Sequence, residues 1–562
     1  MPHAIMSQTS PCQGEEAAHS YARKEWVLIQ REAKLARLKN FPFSLDAFPF
    51  PSLPLIKSRT LKASMQRTTL ADLFVDPRAA DPAIISIAPA VTISYRLLSE
   101  RIERLAEQLS GSGLNPGDSI AISLPNGVEF LSLFLAMTRA RFVVAASNPA
   151  FRAEELRSSI EDTRARALIA HRDDPVARDA ASAAGVPLWA CAVDASGVVT
   201  LESPAVSRGS SPAPGPGDIA LVMRTSGTTG RPKVVPLTHA NVLTSTLDIA
   251  SYYGLSATDR SLLVMPLFHG HGLIGAALST LSSGGTLIVP PRFSASTFWP
   301  EFLEHRATWY SAVPTIHQVL LLRADEDRAP SSGPRFIRSC SASLAPAVLN
   351  NLENRFGAPV IEAYGMTESA HQAASNPLPP RAHKAGSVGL PTGIEIAIID
   401  GTGKHLPANH GGEVIVRGVH VMSGYRDNPE ANAASFIDGW FRTGDVGVVD
   451  SEGYLSLTGR IKEMINRGGE KIAPLEIEAV LVQNPAVAEA AVFGVPDPKY
   501  GEEVWAAVVL KAQTDPSALQ AFCRERLADF KVPRQIRIVS ALPKSATGKV
   551  VRREVAALFD TR

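Results

Sequence analysis

Thr225-Ser-Gly-Thr-Thr-Gly-Arg-Pro-Lys233 follows directly on Ile219-Ala-Leu-Val-Met223, an apolar run that reads as a buried strand. Two glycines and four small hydroxylated residues let backbone N–H groups come close to a phosphate chain, and Lys233 adds positive charge. The spacing is not GxxxxGK[ST], so it is not the loop of ordinary P-loop kinases and GTPases. Taken alone, the stretch could equally be a flexible linker.

Its surroundings favour an α/β sheet. Ser119-Ile-Ala-Ile-Ser-Leu124 reads as a strand, 128–137 as a helix, and Phe142-Val-Val-Ala-Ala146 as the next strand. That βαβ rhythm implies a largely parallel sheet. Pro204 to Gly217 is a Ser/Pro/Gly-rich loop leading into the strand before the quoted stretch. Near Gly459 the composition changes to a small α+β pattern, helical over 474–482 and 517–527 and extended over 490–495 and 504–510. The expected architecture is therefore a large N-terminal multi-sheet α/β body with a small mobile α+β C-terminal domain. The boundaries read as an extension over 1–65, a body over 66–459, and a cap over 460–562 with its hinge near 460–463.

At 562 residues the chain is too long for one core. Its formal net charge of +1 calls for neither nucleic acid nor an anionic membrane. Cys12, Cys191, Cys340 and Cys523 are scattered without metal-ligand spacing, which fits a reduced compartment better than a disulfide scaffold. No apolar run is long enough for a bilayer, no secretory signal opens the chain, and Asp560-Thr561-Arg562 is not a peroxisomal tripeptide. A cytoplasmic location is expected. Residues 23–40 could form a basic helix, and 41–54 read as an irregular arm; the whole extension is read as a surface feature. Oligomeric state is not legible.

Four further blocks stand in order behind the first: Tyr364-Gly-Met-Thr-Glu368, Trp440-Phe-Arg-Thr-Gly-Asp445, Gly459-Arg-Ile-Lys462 and Pro543-Lys-Ser-Ala-Thr-Gly-Lys549. Together the five resemble the adenylate-forming superfamily of acyl-CoA synthetases, luciferases and peptide-synthetase adenylation domains, over roughly residues 70–555. The resemblance implies that a carboxylic acid is activated by ATP and passed to coenzyme A, with AMP and diphosphate released. A carboxylate is a poor electrophile, so its oxygen must first be replaced by a better leaving group, with positive charge and preorganised donors at the phosphates.

By that resemblance Thr225, Ser226, Gly227, Thr228, Thr229, Gly230 and Lys233 cover the β- and γ-phosphates. Glu368 holds Mg²⁺, Thr367 sits by the α-phosphate, and Tyr364 with Gly365 meets the adenine. Asp445 accepts from the ribose hydroxyls and Arg460 supports the same end. Lys549 reaches the attacking carboxylate and α-phosphate; outside this motif it would read as a solvated surface lysine. Lys462 takes the hinge position, with Glu463 beside it. Gly468 and Gly469 face the coenzyme A tunnel, or simply make a tight turn.

The acid is read from softer signals. Pro266-Leu-Phe-His-Gly-His271, Phe336-Ile-Arg-Ser-Cys-Ser-Ala-Ser343 and Met366-Thr-Glu-Ser-Ala-His371 are too polar for a fatty-acid tunnel. They suit a small acid whose second carboxylate needs partners when desolvated. The wording Ala307-Thr-Trp-Tyr-Ser-Ala-Val-Pro-Thr-Ile-His317 and Arg338-Ser-Cys-Ser-Ala-Ser-Leu344 is similar to fungal and plant oxalate–CoA ligases. By that likeness Ser341, His371 and one of His269 and His271 grip the distal carboxylate. Each histidine could instead be structural. Val234 and Gly270 depart from those relatives, which carry glycine and a bulkier aliphatic residue there. Another acid of a specialised pathway is the alternative. The rival classes are transfer to a carrier protein, for which Leu114-Asn-Pro-Gly-Asp-Ser119 is a poor attachment site and Ser119 a turn residue, and a non-catalytic nucleotide binder.

Overall fold

The computed structural model describes residues 67–74, 79–204, 211–225, 232–324, 333–545 and 548–559. The expected helix over 23–40 and arm over 41–54 lie outside these residues.

Two sheets with parallel interiors build the body. The first orders its seven strands as Val199–Leu201, Leu188–Val193, Ala165–His171, Ser119–Ser123, Val143–Ala146, Ile219–Thr225 and Lys233–Thr238. Every residue of Ser119–Ser123 is buried, as a central parallel strand demands. Ser119 opens that strand at 6% exposure, in line with its strand reading and against its reading as a turn residue. The helix Val128–Arg139 is buried all round from Val128 to Thr138; its residues are largely apolar, and Glu129, Ser132 and Thr138 are buried with them.

The second sheet has nine strands. Pro82–Ser86, Thr286–Val289, Arg260–Leu262, Trp309–Ala312, Phe336–Ser339 and Val360–Met366 run parallel in that order. Val360–Met366 then turns back into His371–Ser375, with Met366 opposite His371. Gly365 is needed at this reversal, since a Cβ there would fall 1.4 Å from the His371 carbonyl oxygen. Ligands of parallel sheets gather at the carboxyl ends of the strands. Here those ends deliver Ser311, Ser339-Cys340-Ser341 and Thr367-Glu368 side by side.

A five-stranded antiparallel sheet over Glu395–Arg460 completes the body, with Asp445 directly opposite Arg460 on its last two strands. The C-terminal unit has its own sheet over Ile465–Ile538 and its own core, which includes Ile465, Leu481, Val492, Val508 and Leu519. Its observed helices Pro474–Gln483 and Pro516–Arg524 and strands Val487–Asp497 and Gly501–Leu510 fall where the pattern placed them. Among the described residues no helix is long and apolar enough to cross a membrane.

Candidate active site

One end of the candidate site is organised around Asp445. Its Oδ2 accepts from the Tyr364 hydroxyl at 2.5 Å, and its Oδ1 faces the Arg460 Nε at 2.7 Å. The carboxylate is thereby fixed in orientation, with lone pairs left for further donors. Tyr364 sits on the parallel strand and Arg460 on the antiparallel sheet, so this one residue ties two sheets together.

Thr225 and Lys233 end and begin paired antiparallel strands, opposite one another. Ser226, Gly227, Thr228, Thr229 and Gly230 between them lie outside the described residues. The Lys233 ammonium lies 4.3 Å from the centre of the Tyr425 ring. The Tyr425 hydroxyl donates to Glu368 Oε1 at 2.8 Å. Burial, then the neighbouring Lys462 charge, lowers the Lys233 pKa, and Glu368 opposes this. Lysine, tyrosine and glutamate thus form one cluster, in which Thr367 is half-buried beside Glu368. Tyr425 was not foreseen from the sequence.

Lys549 comes from the C-terminal unit. Its backbone carbonyl closes a tight reversal by accepting from Ser545 N at 2.8 Å. The reversal's Gly548 abuts the body, where a Cβ would meet Thr315 Oγ1 and Val313 Cγ2 at 3.1 Å. The ammonium feels Arg460, Asp445 and Glu368, and it depresses the basicity of His269 and His371. Burial first, then Arg460, lowers its own pKa. By accessible surface the residue as a whole is exposed, so it is not sealed in packing.

At the acyl end, the helical stretch Gly270–Ser282 contains a wide π turn over Leu273–Leu278, a feature frequent at functional sites. One face of it carries His271 and, a turn later, Gly275. The bare glycine makes room for His371: a Cβ on Gly275 would lie 2.3 Å from His371 Nε2. The imidazoles of His271 and His371 stack with centres 5.3 Å apart. Gly270 leaves ordinary contact space beside His371, where a Cβ would stand 3.5 Å from its Cβ. Ser341, Ala370 and His371 all take positive φ values of 73°, 47° and 91°, and such strained backbone collects at functional sites.

The two histidines rest on Arg338. This residue has no exposed surface and donates to Tyr253 Oη, Ser311 Oγ, His371 Nε2 and Gln372 Oε1 at 2.8–3.0 Å. His271 Nδ1 lies 3.0 Å from Ser341 Oγ and its Nε2 lies 2.7 Å from Ser311 Oγ. Burial holds His271 and His371 well below the ordinary histidine range, reinforced by the Arg338 charge. Burial and Lys549 push His269 down to about 4. All three imidazoles are neutral at pH 7. The sequence displayed Arg338 within a quoted stretch, but nothing there marked it as buried, and arginine is usually exposed.

The other expected residues lie at the surface of the C-terminal unit and its junction. Lys462 is exposed in the turn Ile461–Glu463. Gly468 and Gly469 form an exposed turn with φ of 63° and 97°, and only Tyr500 comes near, at 3.4 Å from a Cβ on Gly468. The tight-turn reading describes them in this arrangement.

Comparison with known proteins settles the family. Residues 75–426 match the family described as AMP-binding enzyme, and residues 476–549 match its C-terminal domain. The chain belongs to the AMP-binding enzyme family. The enzyme is an AMP-forming acid–thiol ligase. It is 45% identical to an oxalate–CoA ligase of Arabidopsis thaliana, over 88% of this chain and 99% of the relative. It is 42% identical to an oxalate–CoA ligase of Saccharomyces cerevisiae, over 79% of this chain and 87% of the relative. Among solved structures, ATP-bound MatB from Rhodopseudomonas palustris aligns with a TM-score of 0.80 at 32% identity, covering 88% of this chain and 99% of that one.

Proposed function

We propose that the enzyme converts oxalate, ATP and coenzyme A to oxalyl-CoA, AMP and diphosphate. In the first step a carboxylate oxygen attacks the α-phosphorus, the bond to the bridging oxygen breaks, and diphosphate leaves. In the second, the coenzyme A thiolate attacks the activated carbonyl carbon and AMP leaves. The observation that carries this choice of acid is the stacked His271–His371 pair, which with Ser341 closes the acyl end with polar edges where a long acid would need apolar walls.

The roles are assigned by the resemblance of the five motifs. Thr225 to Lys233 takes the β- and γ-phosphates, and Thr367 the α-phosphate. Tyr364, with Gly365, meets the adenine, while Asp445, steadied by Arg460, accepts from the ribose. Lys549 holds the incoming carboxylate against phosphorus. His269 stands over the acyl site close to the Lys549 charge. Among the described residues no three His, Cys, Asp or Glu side chains could hold a metal alone. The single Glu368 carboxylate fits Mg²⁺, which is bound by few carboxylates and mainly by phosphate oxygens and water. When bound, the ion neutralises charge on the departing diphosphate. Coenzyme A would pass Gly468 and Gly469 after the cap turns about Lys462. Cys191, Cys340 and Cys523 are free and buried, in keeping with a reduced compartment such as the cytoplasm.

A panel of carboxylic acids with ATP, Mg²⁺ and coenzyme A tests this, scored for AMP, diphosphate and thioester. Oxalate should give the highest kcat/KM, and His371→Ala should raise the KM for oxalate far more than that for ATP. A preference for a monocarboxylic or long-chain acid, or release of ADP, would refute the proposal.

A further inference from the structure

Arg338 is a permanent charge in a place where charge is costly. Its guanidinium is wholly buried, and among the described residues no aspartate or glutamate pairs with it. Its hydrogen-bond partners are a phenol, a serine, an imidazole and an amide, with the Cys340 thiol beside it, and none of them is a carboxylate.

Because arginine only donates, it dictates the protonation of everything it touches. His371 Nε2 must accept from Arg338 Nη2, so the proton of neutral His371 sits on Nδ1. On the other side Ser311 Oγ accepts from Arg338 Nη1 at 2.8 Å. The recorded acceptor for the Ser311 hydrogen is His271 Nε2, 2.7 Å away. That places the His271 proton on Nδ1, which donates to Ser341 Oγ at 3.0 Å. Ser341, its oxygen occupied as acceptor, has its own O–H free to donate. Two chains of aligned dipoles therefore start at one cation, and hydrogen bonds in such chains polarise one another.

We propose that Arg338 is the positioning residue of the acyl pocket. Through Ser311 and His271 on one side and His371 on the other, it presents the Ser341 hydroxyl and the His371 Nδ1–H as donors and makes the pocket select acids with a second negative charge. The inference rests on the reading of the acyl end given above. It goes beyond that reading by locating the charge complementarity in a residue that does not touch the acid.

The test compares oxalate with oxamate, in which a neutral amide replaces one carboxylate, by acid-dependent diphosphate exchange. The wild type should prefer oxalate by roughly 100-fold. Arg338→Met should bring the two acids within about fivefold, with the KM for ATP unchanged, and Arg338→Lys should restore part of the preference. A wild-type ratio in Arg338→Met would overturn the proposal. Nitrogen NMR of the histidine-labelled wild-type protein, assigned with His271→Asn and His371→Asn, reads the tautomers whether or not the arginine variants fold. Nδ1–H forms at both histidines are expected, and an Nε2–H form at His371 would overturn the relay. Failure of the oxalate reading would appear separately, as wild-type activity on a different acid with these tautomers intact.

Discussion

Glu362 offers a prediction whose size follows from the structure. It lies on the strand Val360–Met366 at 2% exposure, with Oε1 accepting from Leu344 N at 3.0 Å and Oε2 buried without a hydrogen-bond partner. Burial raises its pKa from 4.5 to about 8, only partly opposed by the Leu344 bond. The folded protein thus keeps a proton that the unfolded chain has already released between those values. Unfolding then releases a proton, so stability falls as pH rises through this window, by about 1.4 kcal/mol per pH unit. From pH 5 to pH 8 the loss is about 4 kcal/mol. Glu362→Gln retains an oxygen for Leu344 N and cannot ionise. Urea unfolding of both proteins at several pH values should show the variant gaining on the wild type by about 4 kcal/mol between pH 5 and pH 8. The variant is expected to be level with, or slightly weaker than, the wild type at pH 5, because its amide hydrogens also lack acceptors. A difference that stays constant with pH would refute the reasoning, since only an ionisable group confined to neutral form can produce the slope.

The remaining predictions concern the two half-reactions. Lys549→Ala should slow adenylate formation, followed by diphosphate exchange, about 10²- to 10³-fold. Thioester formation from supplied acyl-adenylate should change less than about fivefold, and equal losses in both would contradict a first-step role. Lys462→Pro should spare adenylate formation and depress thioester formation, because proline fixes φ within a three-residue turn it otherwise suits. Normal thioester formation in that variant would exclude a pivot at this residue.

What could be read from the sequence was local chemistry carried by short motifs. The strand before Thr225 declares itself through an uninterrupted apolar run and the helix after Gly127 through a largely apolar one, and both formed within a few positions of expectation. Asp445 and Arg460 were each assigned to the nucleotide, but their direct contact follows from the pairing of two strands, which no single block contains. The Arg338 network was invisible for the same reason. Its four partners come from a helix end at Tyr253, the strand Trp309–Ala312 and the reversal at His371-Gln372, lying 27 to 85 positions from it along the chain. Tyr425 was missed because a tyrosine near a Gly–Pro-containing loop has many ordinary uses, and only the Glu368 hydroxyl contact gives it a role. Ser119 was read both as the first residue of a strand and as a turn residue, because Asn115-Pro-Gly-Asp118 is a strong turn signal immediately before it; the strand reading holds.

The ion pairs around residue 460 narrow the hinge in a way the motif could not. Arg460 is held to the body by Asp445 at 2.7 Å. Glu463 is held to the C-terminal unit by Arg552 at 2.5 Å, and Arg552 also pairs with Glu478 of the helix Pro474–Gln483 at 2.9 Å. Neither end can rotate without breaking a charged contact, and the cost of breaking one falls on whichever side moves. Only Ile461 and Lys462 lie between the two anchors, and both are exposed. Gly468 and Gly469 face solvent in this arrangement, so the coenzyme A role proposed for them requires the cap to turn. On the proposed rotation of the cap, Ile461–Lys462 is where a pivot breaks neither pair, since Arg460 is tied to Asp445 and Glu463 to Arg552.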